Sequence, residues 1–338
     1  EHSKKIINIS GKIVTPGLID IHTHFYWGVF SHSIQGDATF LPQGVTTAVD
    51  GGSSGHVNFP GLKEYVIYPS KTRMYAFIHL SAIGLTSQAA SGELYDLRFA
   101  QIDGAVACVK NNPDLVLGIK VRITHGGTGV ENALPALRLA RQAADEAETR
   151  LMVHVSDSPI PIPTILEYMH PGDIATHIFA GLSRTVLDRE RNVLPEVRMA
   201  QERGVILDIG RGASALDYEV AQAALDQGIK PDTISTDAHT PQRIGNISHP
   251  LPNVMSEFIA MGMSLEDVVR CTTSAAAQAI DKDKLIGTLA VGYPADLAVF
   301  ELRQERLTFS DGVGNNIEGR DQLVPVMTIR EGHLMNAS

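Results

Sequence analysis

The segment LIDIHTH, residues 18–24, decides how the rest of the chain folds. It is an apolar run that ends in two histidines, His22 and His24, with one residue between them. Side chains on a strand alternate between its two faces, so both imidazoles point to the same side. Chance alone gives roughly 0.5 such pairs in a chain of this histidine content, so the pair needs support from other segments.

Seven more short apolar runs follow, and most are continuous rather than alternating, as expected for strands that are buried on both faces. They cover residues 45–52, 74–82, 116–124, 150–157, 173–181, 205–212 and 233–239. Amphipathic stretches of helix-forming residues lie between several of them, including 132–149 and 194–204. Eight strand–helix units of about 30 residues each predict an α/β fold of the (β/α)8 TIM-barrel type.

A doubly wound open sheet is the alternative architecture. If it held a dinucleotide, it would need a glycine-rich phosphate-binding loop directly after its first strand. The segment HTHFYWG at 22–28 is not such a loop, so the pattern favours the barrel.

The pattern changes towards the end of the chain. Residues 264–280 favour one helix, 285–302 favour two short strands joined by Gly-Tyr-Pro, and 320–335 favour another strand with a glycine turn. At the other end, residues 4–17 favour a strand, a turn and a second strand. Both chain ends therefore predict a small β unit beside the barrel.

This division predicts two domains. Residues 16–284 would form the barrel, and residues 1–15 together with 285–338 would form a small β-sandwich annex. The chain opens on EHSKK, which is neither a signal peptide nor a natural methionine start, so we expect the N-terminal part of the annex to be incomplete.

Composition limits the possible partners. The net charge is −10, which argues against nucleic acid and anionic membranes. Only Cys108 and Cys271 are present, so neither a disulfide framework nor a cysteine zinc site is indicated, and a cytoplasmic location fits. No apolar run reaches the length of a membrane helix. We expect a small-molecule substrate, and a homo-oligomer is compatible with this composition.

Four further residues extend the histidine pair. His154 and His177 lie at equivalent places in two successive predicted strands, and neutral imidazole is a common zinc ligand. A lone buried histidine is more often a hydrogen-bonded core residue, but two matched positions weaken that interpretation. Asp237, in the eighth predicted strand, would ligate one metal and accept a proton from attacking water, although a turn aspartate also fits there. Asp50 is a competing acid that we expect to support the loop after the second strand.

Lys120 is the unusual member of the set, because an ammonium group is costly in a buried strand unless it is paired. Burial lowers the pKa of a lysine, and the neutral amine reacts with CO₂ to give a carbamate whose two oxygens would bridge two divalent cations. A lysine that extends to solvent or pairs with an acid is the other interpretation. On position alone the two have similar weight.

Taken together, TPGLIDIHTH (15–24), the strand lysine, the later ligands and GTLAVGYPADLAVF (287–300) resemble the amidohydrolase superfamily. This resemblance covers nearly the whole chain and implies a binuclear centre, usually with two Zn²⁺ ions. His22, His24 and Asp237 would bind the first metal, and His154 and His177 the second. Lys120, as N6-carboxylysine, would bridge them.

Within that superfamily the chain resembles the amidohydrolase/deacetylase branch, which includes dihydroorotase-like and D-aminoacylase-like enzymes. Dihydroorotase has an arginine two residues after the His-x-His pair, where this chain has Tyr26. The predicted function is hydrolysis of an acyl amide or ester, as in a deacetylase of N-acetyl or O-acetyl acids, with possible D or R preference. Attack by a hydroxide between the metals would use Asp237 as general base and acid.

Three alternatives stay open: a dihydroorotase-type cyclic amide hydrolase, a mononuclear deaminase of the same superfamily and a non-catalytic scaffold barrel. The deaminase needs a glutamate near the fifth strand, where the sequence offers Asp157 only. Substrate contacts should come from loops after the strands. The candidates are Ser53, Ser54, His125, Arg211 and His239. Arg211 would hold a substrate carboxylate, and a surface salt bridge is an equally weighted alternative for it.

Overall fold

The computed structural model describes residues 6–182, 184–240 and 249–335. Its strands are β1 Ile13–Pro16, β2 Leu18–Thr23, β3 Val45–Gly51, β4 Arg73–His79, β5 Val116–Arg122, β6 Arg150–His154, β7 Ile174–Thr176, β8 Ile206–Asp208, β9 Leu297–Ser310, β10 Asn316–Arg330 and β11 His333–Leu334.

The α-helices are α1 Gly36–Phe40, α2 Phe59–Leu62, α3 Gln88–Ser91, α4 Ile102–Asn111, α5 His125–Glu146, α6 Ile162–Glu167, α7 Pro195–Glu202, α8 Tyr218–Asp226, α9 Leu251–Ala260, α10 Leu265–Cys271 and α11 Ser274–Ala279. Short 3-10 turns cover Leu41–Gln43, Gly84–Ser87 and Leu97–Phe99, and a π turn covers Lys63–Ile67. Within the described ranges, no helix has both the length and the apolar character to cross a membrane.

Strands β2 to β8 form one parallel sheet in chain order, and the predicted TIM-barrel fold is confirmed. The predicted eighth strand, 233–239, is an extended segment that pairs by isolated bridges only. Thr233 pairs with Asp208 of β8, and Ala238 pairs with Thr23 of β2, so the segment bridges the two edge strands of the sheet. Asp237 has a φ of 51°, a left-handed conformation that interrupts a regular ladder.

An apolar cluster fills the space beneath the C-terminal ends of the barrel strands. Phe77 and Met152 belong to it, and each precedes a strand-end histidine by two positions. Ala277 and Ile280, in and after α11, complete the cluster. Because side chains two residues apart share a face, the apolar layer lies directly beneath the polar layer at the C-terminal ends of the strands.

The chain ends form an antiparallel sheet in the order β1-β9-β10-β11. The prediction of two strands in 285–302 is wrong for the first strand, because 285–296 consists of turns and irregular backbone. The second strand is present as β9. Gly287 and Gly292 have φ values of 88° and 98°, which a regular strand does not accommodate. The strand predicted before the turn in 4–17 is likewise absent from its described residues 6–9, whereas β1 pairs with β9.

Most predicted helices are present with different ends. The helix predicted for 132–149 corresponds to α5, whose span His125–Glu146 is interrupted by non-helical backbone at Gly129, and the one predicted for 264–280 is divided into α10 and α11. The division falls at Thr272 and Thr273, whose hydroxyls donate to backbone carbonyls of α10. Such local bonds compete with helix continuation.

Candidate metal centre

Six side chains converge at the C-terminal ends of the barrel strands. Five of them lie in or directly after strands of the barrel, and Asp237 lies in the segment that closes it. All six are buried or nearly so: His22, His24, Lys120, His154, His177 and Asp237. This is where a parallel barrel concentrates its functional groups, because the C-terminal ends of all strands meet on one face.

Asp237 is the centre of the first group. Its Oδ1 atom lies 3.0 Å from Nε2 of His24 and 3.6 Å from Nε2 of His22. One ligand atom from each of these three residues lies within 4.8 Å of the other two. The Nζ atom of Lys120 lies 3.1 Å from Nε2 of His22, which places the amine at the edge of the same group.

His154 and His177 form the second group, with ring centroids 4.1 Å apart. Nε2 of His177 lies 4.0 Å from Oδ2 of Asp237, is buried and has no hydrogen-bond partner among the described residues. Nε2 of His154 contacts the hydroxyl of Ser156 at 2.8 Å. An orphaned buried imidazole nitrogen that faces a carboxylate fits a site built for a cation.

Hydrogen bonds on the far side of each ring fix its orientation. Nδ1 of His22 contacts Oγ1 of Thr176 at 2.8 Å, and that hydroxyl donates to Asp208 at 2.7 Å. Nδ1 of His24 contacts Oγ of Ser53 at 2.9 Å. These contacts hold Nε2 of both rings towards the centre, as the outer partners of metal-binding histidines do.

Asp50 supports the second of these contacts. Its carboxylate accepts the backbone N–H groups of Phe25, Gly52 and Ser53, with the bond from Ser53 at 2.6 Å. The loop after β3 is therefore tied to the end of β2, and the Ser53 hydroxyl is positioned for His24. This agrees with the supporting role expected of Asp50 from the sequence.

Burial favours the neutral form of three site histidines, His22, His154 and His177. Burial, followed by the charge of Lys120, lowers the pKa of His22 well below its usual value. Burial also lowers the pKa of His154 well below the usual value and that of His177 to about 4. Neutral imidazole has the lone pair that a metal needs, so this part of the set is ready to bind at neutral pH.

Burial lowers the pKa of Lys120 to about 7. Burial alone would raise the pKa of Asp237, but His239, His22 and His24 hold it well below its usual range. An ionised carboxylate, neutral imidazoles and a readily deprotonated amine form a donor set that suits divalent metals.

His177 and Asp237 both have left-handed backbones, with φ values of 68° and 51°. Neither is glycine, and such conformations cost about 1–3 kcal/mol each. Strain at two of the six converging residues marks this point as a functional site, because the surrounding fold maintains it against that cost.

Comparison with known proteins agrees with this geometry. The model of the amidohydrolase family matches residues 13–335. The chain belongs to the amidohydrolase family. It is therefore a hydrolase acting on carbon–nitrogen bonds of a small molecule, and family membership implies dependence on a divalent metal.

Three similar proteins carry different functional names. Over 308 residues the chain is 34% identical to a Brucella anthropi protein named deacetylase, covering 90% of this chain and 75% of that one. A solved adenine deaminase superposes with a TM-score of 0.90 at 29% identity, covering 97% and 88% of the two chains. A solved dihydroorotase gives a TM-score of 0.86 at 32% identity, covering 96% and 84%.

In this amidohydrolase a cavity of about 300 Å³ opens above the six residues. Its lining is partly polar and partly apolar, and the described residues include His22, His24, Phe30, His32, Leu85, Gln88, Arg122, Thr124, His154, Ser156, Asp157, Leu182, Ala213, Ser214, Ala215, Asp237 and His239. A small molecule that enters this cavity meets the candidate metal centre at its floor.

The residues predicted to contact substrate are distributed unevenly around this cavity. His239 lines it, whereas Ser53 lies behind His24 and Ser54 is fully buried. His125 is partly exposed, contacts Asp157 at 3.1 Å and is not part of the cavity lining.

Arg211 is not among the described residues that line the cavity, and its side chain is fully buried. Its guanidinium pairs with Glu257 at 3.3 Å and donates to the carbonyls of Gly212 and Ser310. Arg211 joins the barrel to the annex sheet. The single sequence could not show this, because Glu257 and Ser310 are distant in the chain.

Two residues near the site were not predicted. Arg122 lines the cavity and lies two positions after Lys120 on β5, so the strand alternation that selected His24 would also have selected it. His79 is fully buried, pairs in register with Lys120, and its Nε2 has no hydrogen-bond partner among the described residues. Its position near the end of a predicted strand is the sequence feature that could have identified it as a site residue.

Proposed function

We propose that this amidohydrolase binds two Zn²⁺ ions. His22, His24 and Asp237 would hold one, His154 and His177 the other, and a carboxylated Lys120 would bridge them. The orphaned Nε2 of His177 and the lowered pKa of Lys120 support this arrangement. When bound, the metals would polarise the substrate carbonyl and lower the pKa of the attacking water.

The position of Asp237 carries the proposed mechanism. Its two oxygens face the two histidine groups, Oδ1 towards His24 and Oδ2 towards His177. The carboxylate is ionised, so it can accept the proton of the attacking water and deliver it to the leaving amine or alkoxide. Asp237 also lines the cavity, within reach of a bound substrate.

We propose a deacetylase of N-acetyl or O-acetyl acids, with D or R preference. The deacetylase name of the Brucella anthropi relative supports this class. Tyr26 does not offer the cation that dihydroorotate would need after the His-x-His pair. Its side chain is buried and its hydroxyl donates to the carbonyl of Asn58 at 2.7 Å.

Deamination is the second candidate, since the adenine deaminase superposes closely. The described residues that line the cavity include Asp157 and Asp237 but no glutamate, the residue that we expect for a mononuclear deaminase. The complete set of six residues also weighs against a non-catalytic scaffold.

The test is product release by zinc-loaded protein prepared with bicarbonate. The panel would hold dihydroorotate, adenine, N-acetyl-D- and N-acetyl-L-amino acids and O-acetyl 2-hydroxy acids. Acetate release from the acetylated acids would support the proposal, and the ratio of the two enantiomers would give the stereochemical preference. Efficient ring opening of dihydroorotate or ammonia release from adenine would replace it with the corresponding alternative. Absence of all turnover, together with absence of bound metal, would favour the scaffold.

A further inference from the structure

Arg122 is a permanently charged side chain at the edge of the candidate metal centre. It lies in register with His154 on the neighbouring strand, and adjacent strands are about 5 Å apart. It also follows Lys120 by two residues, so both side chains project from the same face of β5. Among the described residues that line the cavity, Arg122 is the one arginine or lysine.

Glu93 holds this arginine in place. Its carboxylate is buried, and its Oε1 atom lies 3.0 Å from Nη1 of Arg122. The side-chain amide of Gln88 also faces the guanidinium, and the oxygen is the amide atom that satisfies both groups. Arg122 is therefore held from one side by an ion pair with Glu93 and by the amide oxygen of Gln88, in the way that residues behind a binding site fix the group that contacts the ligand.

Part of the Arg122 side chain stays accessible after these contacts. About 17% of the side chain is exposed where it lines the cavity, although its Nε atom is buried and has no hydrogen-bond partner among the described residues. Arg211 provides the contrast: its side chain is fully enclosed, and Nε, Nη1 and Nη2 all have protein acceptors. Arg211 is thus a structural ion pair, whereas Arg122 is a partly exposed cation in the cavity wall.

We propose that Arg122 binds a carboxylate of the substrate, so that the enzyme selects anionic acyl compounds. This inference rests on the proposed deacetylase function and names its substrate class. A guanidinium suits a carboxylate because it is always charged and offers several N–H donors in one plane. The location beside His154 places that carboxylate next to the metal centre, as an acid with an acylated α-amine or α-hydroxyl requires. Phe30, Leu85 and Leu182 line the same cavity and suit an apolar side chain.

The experiment compares N-acetyl-D-alanine with its neutral carboxamide, N-acetyl-D-alaninamide, and uses the L pair if the enzyme prefers that configuration. Both carry the same scissile bond, and acetate release is measured. Variant Arg122→Gln removes the guanidinium. Because it leaves Glu93 buried without a cation, the double variant Glu93→Gln/Arg122→Gln serves as the folding-safe form, with thermal melting as the check.

We expect the wild type to prefer the acid and the double variant to lose this preference by on the order of 10- to 100-fold, mainly through KM for the acid. Turnover of the carboxamide should change little. A folded double variant that keeps the wild-type preference would overturn the role of Arg122. Equal turnover of both compounds by the wild type would overturn the inference and leave the deacetylase function intact.

A binding readout separates the two proposals if no acetate is released. Calorimetric titration of the Asp237→Asn protein with the same two compounds requires no turnover. Tighter binding of the acid that disappears when Arg122→Gln is added would support the carboxylate site, although the deacetylase proposal had failed. Equal binding of the acid and the carboxamide by the Asp237→Asn protein would overturn the carboxylate site as well.

Discussion

Nζ of Lys120 lies 3.1 Å from Nε2 of His22, and both side chains are fully buried. Two groups at this distance in a site of low dielectric constant cannot both carry a positive charge. Burial, followed by the charge of Lys120, lowers the pKa of His22 well below its usual value, and burial lowers the pKa of Lys120 to about 7. The enclosed position of the two groups therefore favours a neutral imidazole and an amine that loses its proton near neutral pH.

The first prediction concerns CO₂ uptake by Lys120. Only the neutral amine reacts with CO₂, so the carbamate should increase as the pH rises through about 7, at fixed dissolved CO₂. Carbon-13 NMR of metal-free protein with labelled bicarbonate, at pH 6 and pH 8.5, measures this directly. Lys120→Met should abolish the signal, whereas Lys110→Met should keep it. A pH-independent signal, or one that survives in Lys120→Met, would contradict the prediction.

The second prediction concerns proton transfer by Asp237. Asp237→Asn should fold but lose about 10²- to 10⁴-fold in kcat, because an amide cannot accept the proton of the attacking water. The matched control is Asp226→Asn, since Asp226 lies on the exposed face of α8. Steady-state kinetics on the best acetylated substrate, with metal content measured in parallel, test this. A fully active Asp237→Asn protein would refute the mechanism.

The third prediction concerns the orientation of His22. Thr176→Val keeps the side-chain shape but removes the hydroxyl that links Nδ1 of His22 to Asp208. We expect metal affinity to fall by about 10- to 100-fold, measured by competition with a chelating dye. Thr328→Val is the control, because its buried hydroxyl donates to the carbonyl of Leu41 in another part of the fold. Equal metal affinity in the two variants would argue against the link.

The fourth prediction concerns Gly52, whose φ is 96° and whose added Cβ would lie 2.7 Å from Cγ of Lys120. Gly172 has a similar φ of 88° but no atom within 4 Å of an added Cβ. Both alanine variants carry comparable backbone strain, but only Gly52→Ala also displaces Lys120. We expect Gly52→Ala to lose metal affinity and Gly172→Ala to keep it, although both proteins melt at lower temperature. Wild-type metal affinity in Gly52→Ala would contradict the tight packing.

The fifth prediction concerns the buried pair of Arg211 and Glu257. Arg211→Met leaves the buried carboxylate without a cation, and we expect a loss of about 3–5 kcal/mol in the free energy of unfolding. Arg191→Met breaks an exposed pair with Glu219 and should cost about 1 kcal/mol or less. Thermal melting of both proteins measures the difference. If the Arg211→Met protein retains wild-type stability but loses preference for acids, the roles assigned to Arg211 and Arg122 are reversed.

Much of the site was accessible from the sequence because strand geometry is regular. His22 and His24 share a face by alternation, and Lys120, His154 and His177 lie near, at or directly after the C-terminal ends of their strands. They meet at one end of the barrel because the C-terminal ends of all the parallel strands lie on the same face. The sequence could not show the turns at 285–296, where glycines with positive φ replace the expected strand.

The roles of the arginines depended on contacts that a single sequence does not show. Arg122 ends β5 and Arg211 follows β8, and on sequence alone Arg211 had equal weight as a carboxylate partner and as a salt-bridge residue. Glu257 pairs with the fully buried Arg211, whereas Glu93 pairs with Arg122, which lines the cavity and stays partly exposed. Ion pairs between residues far apart in the chain are decided by packing, so their partners emerge only in the folded structure.

The sequence by itself determined the repeating strand pattern, the types of ligand and their order, because local alternation and burial are written in neighbouring residues. Only the tertiary structure decided the pKa values and the relative positions of the site residues. Burial inside the barrel lowers the pKa of Lys120 to about 7, and Asp237, which has a left-handed backbone in the closing segment, faces both histidine groups. Desolvation and contacts between distant residues exist only in the folded chain, and they determine the protonation state and the geometry of the site residues.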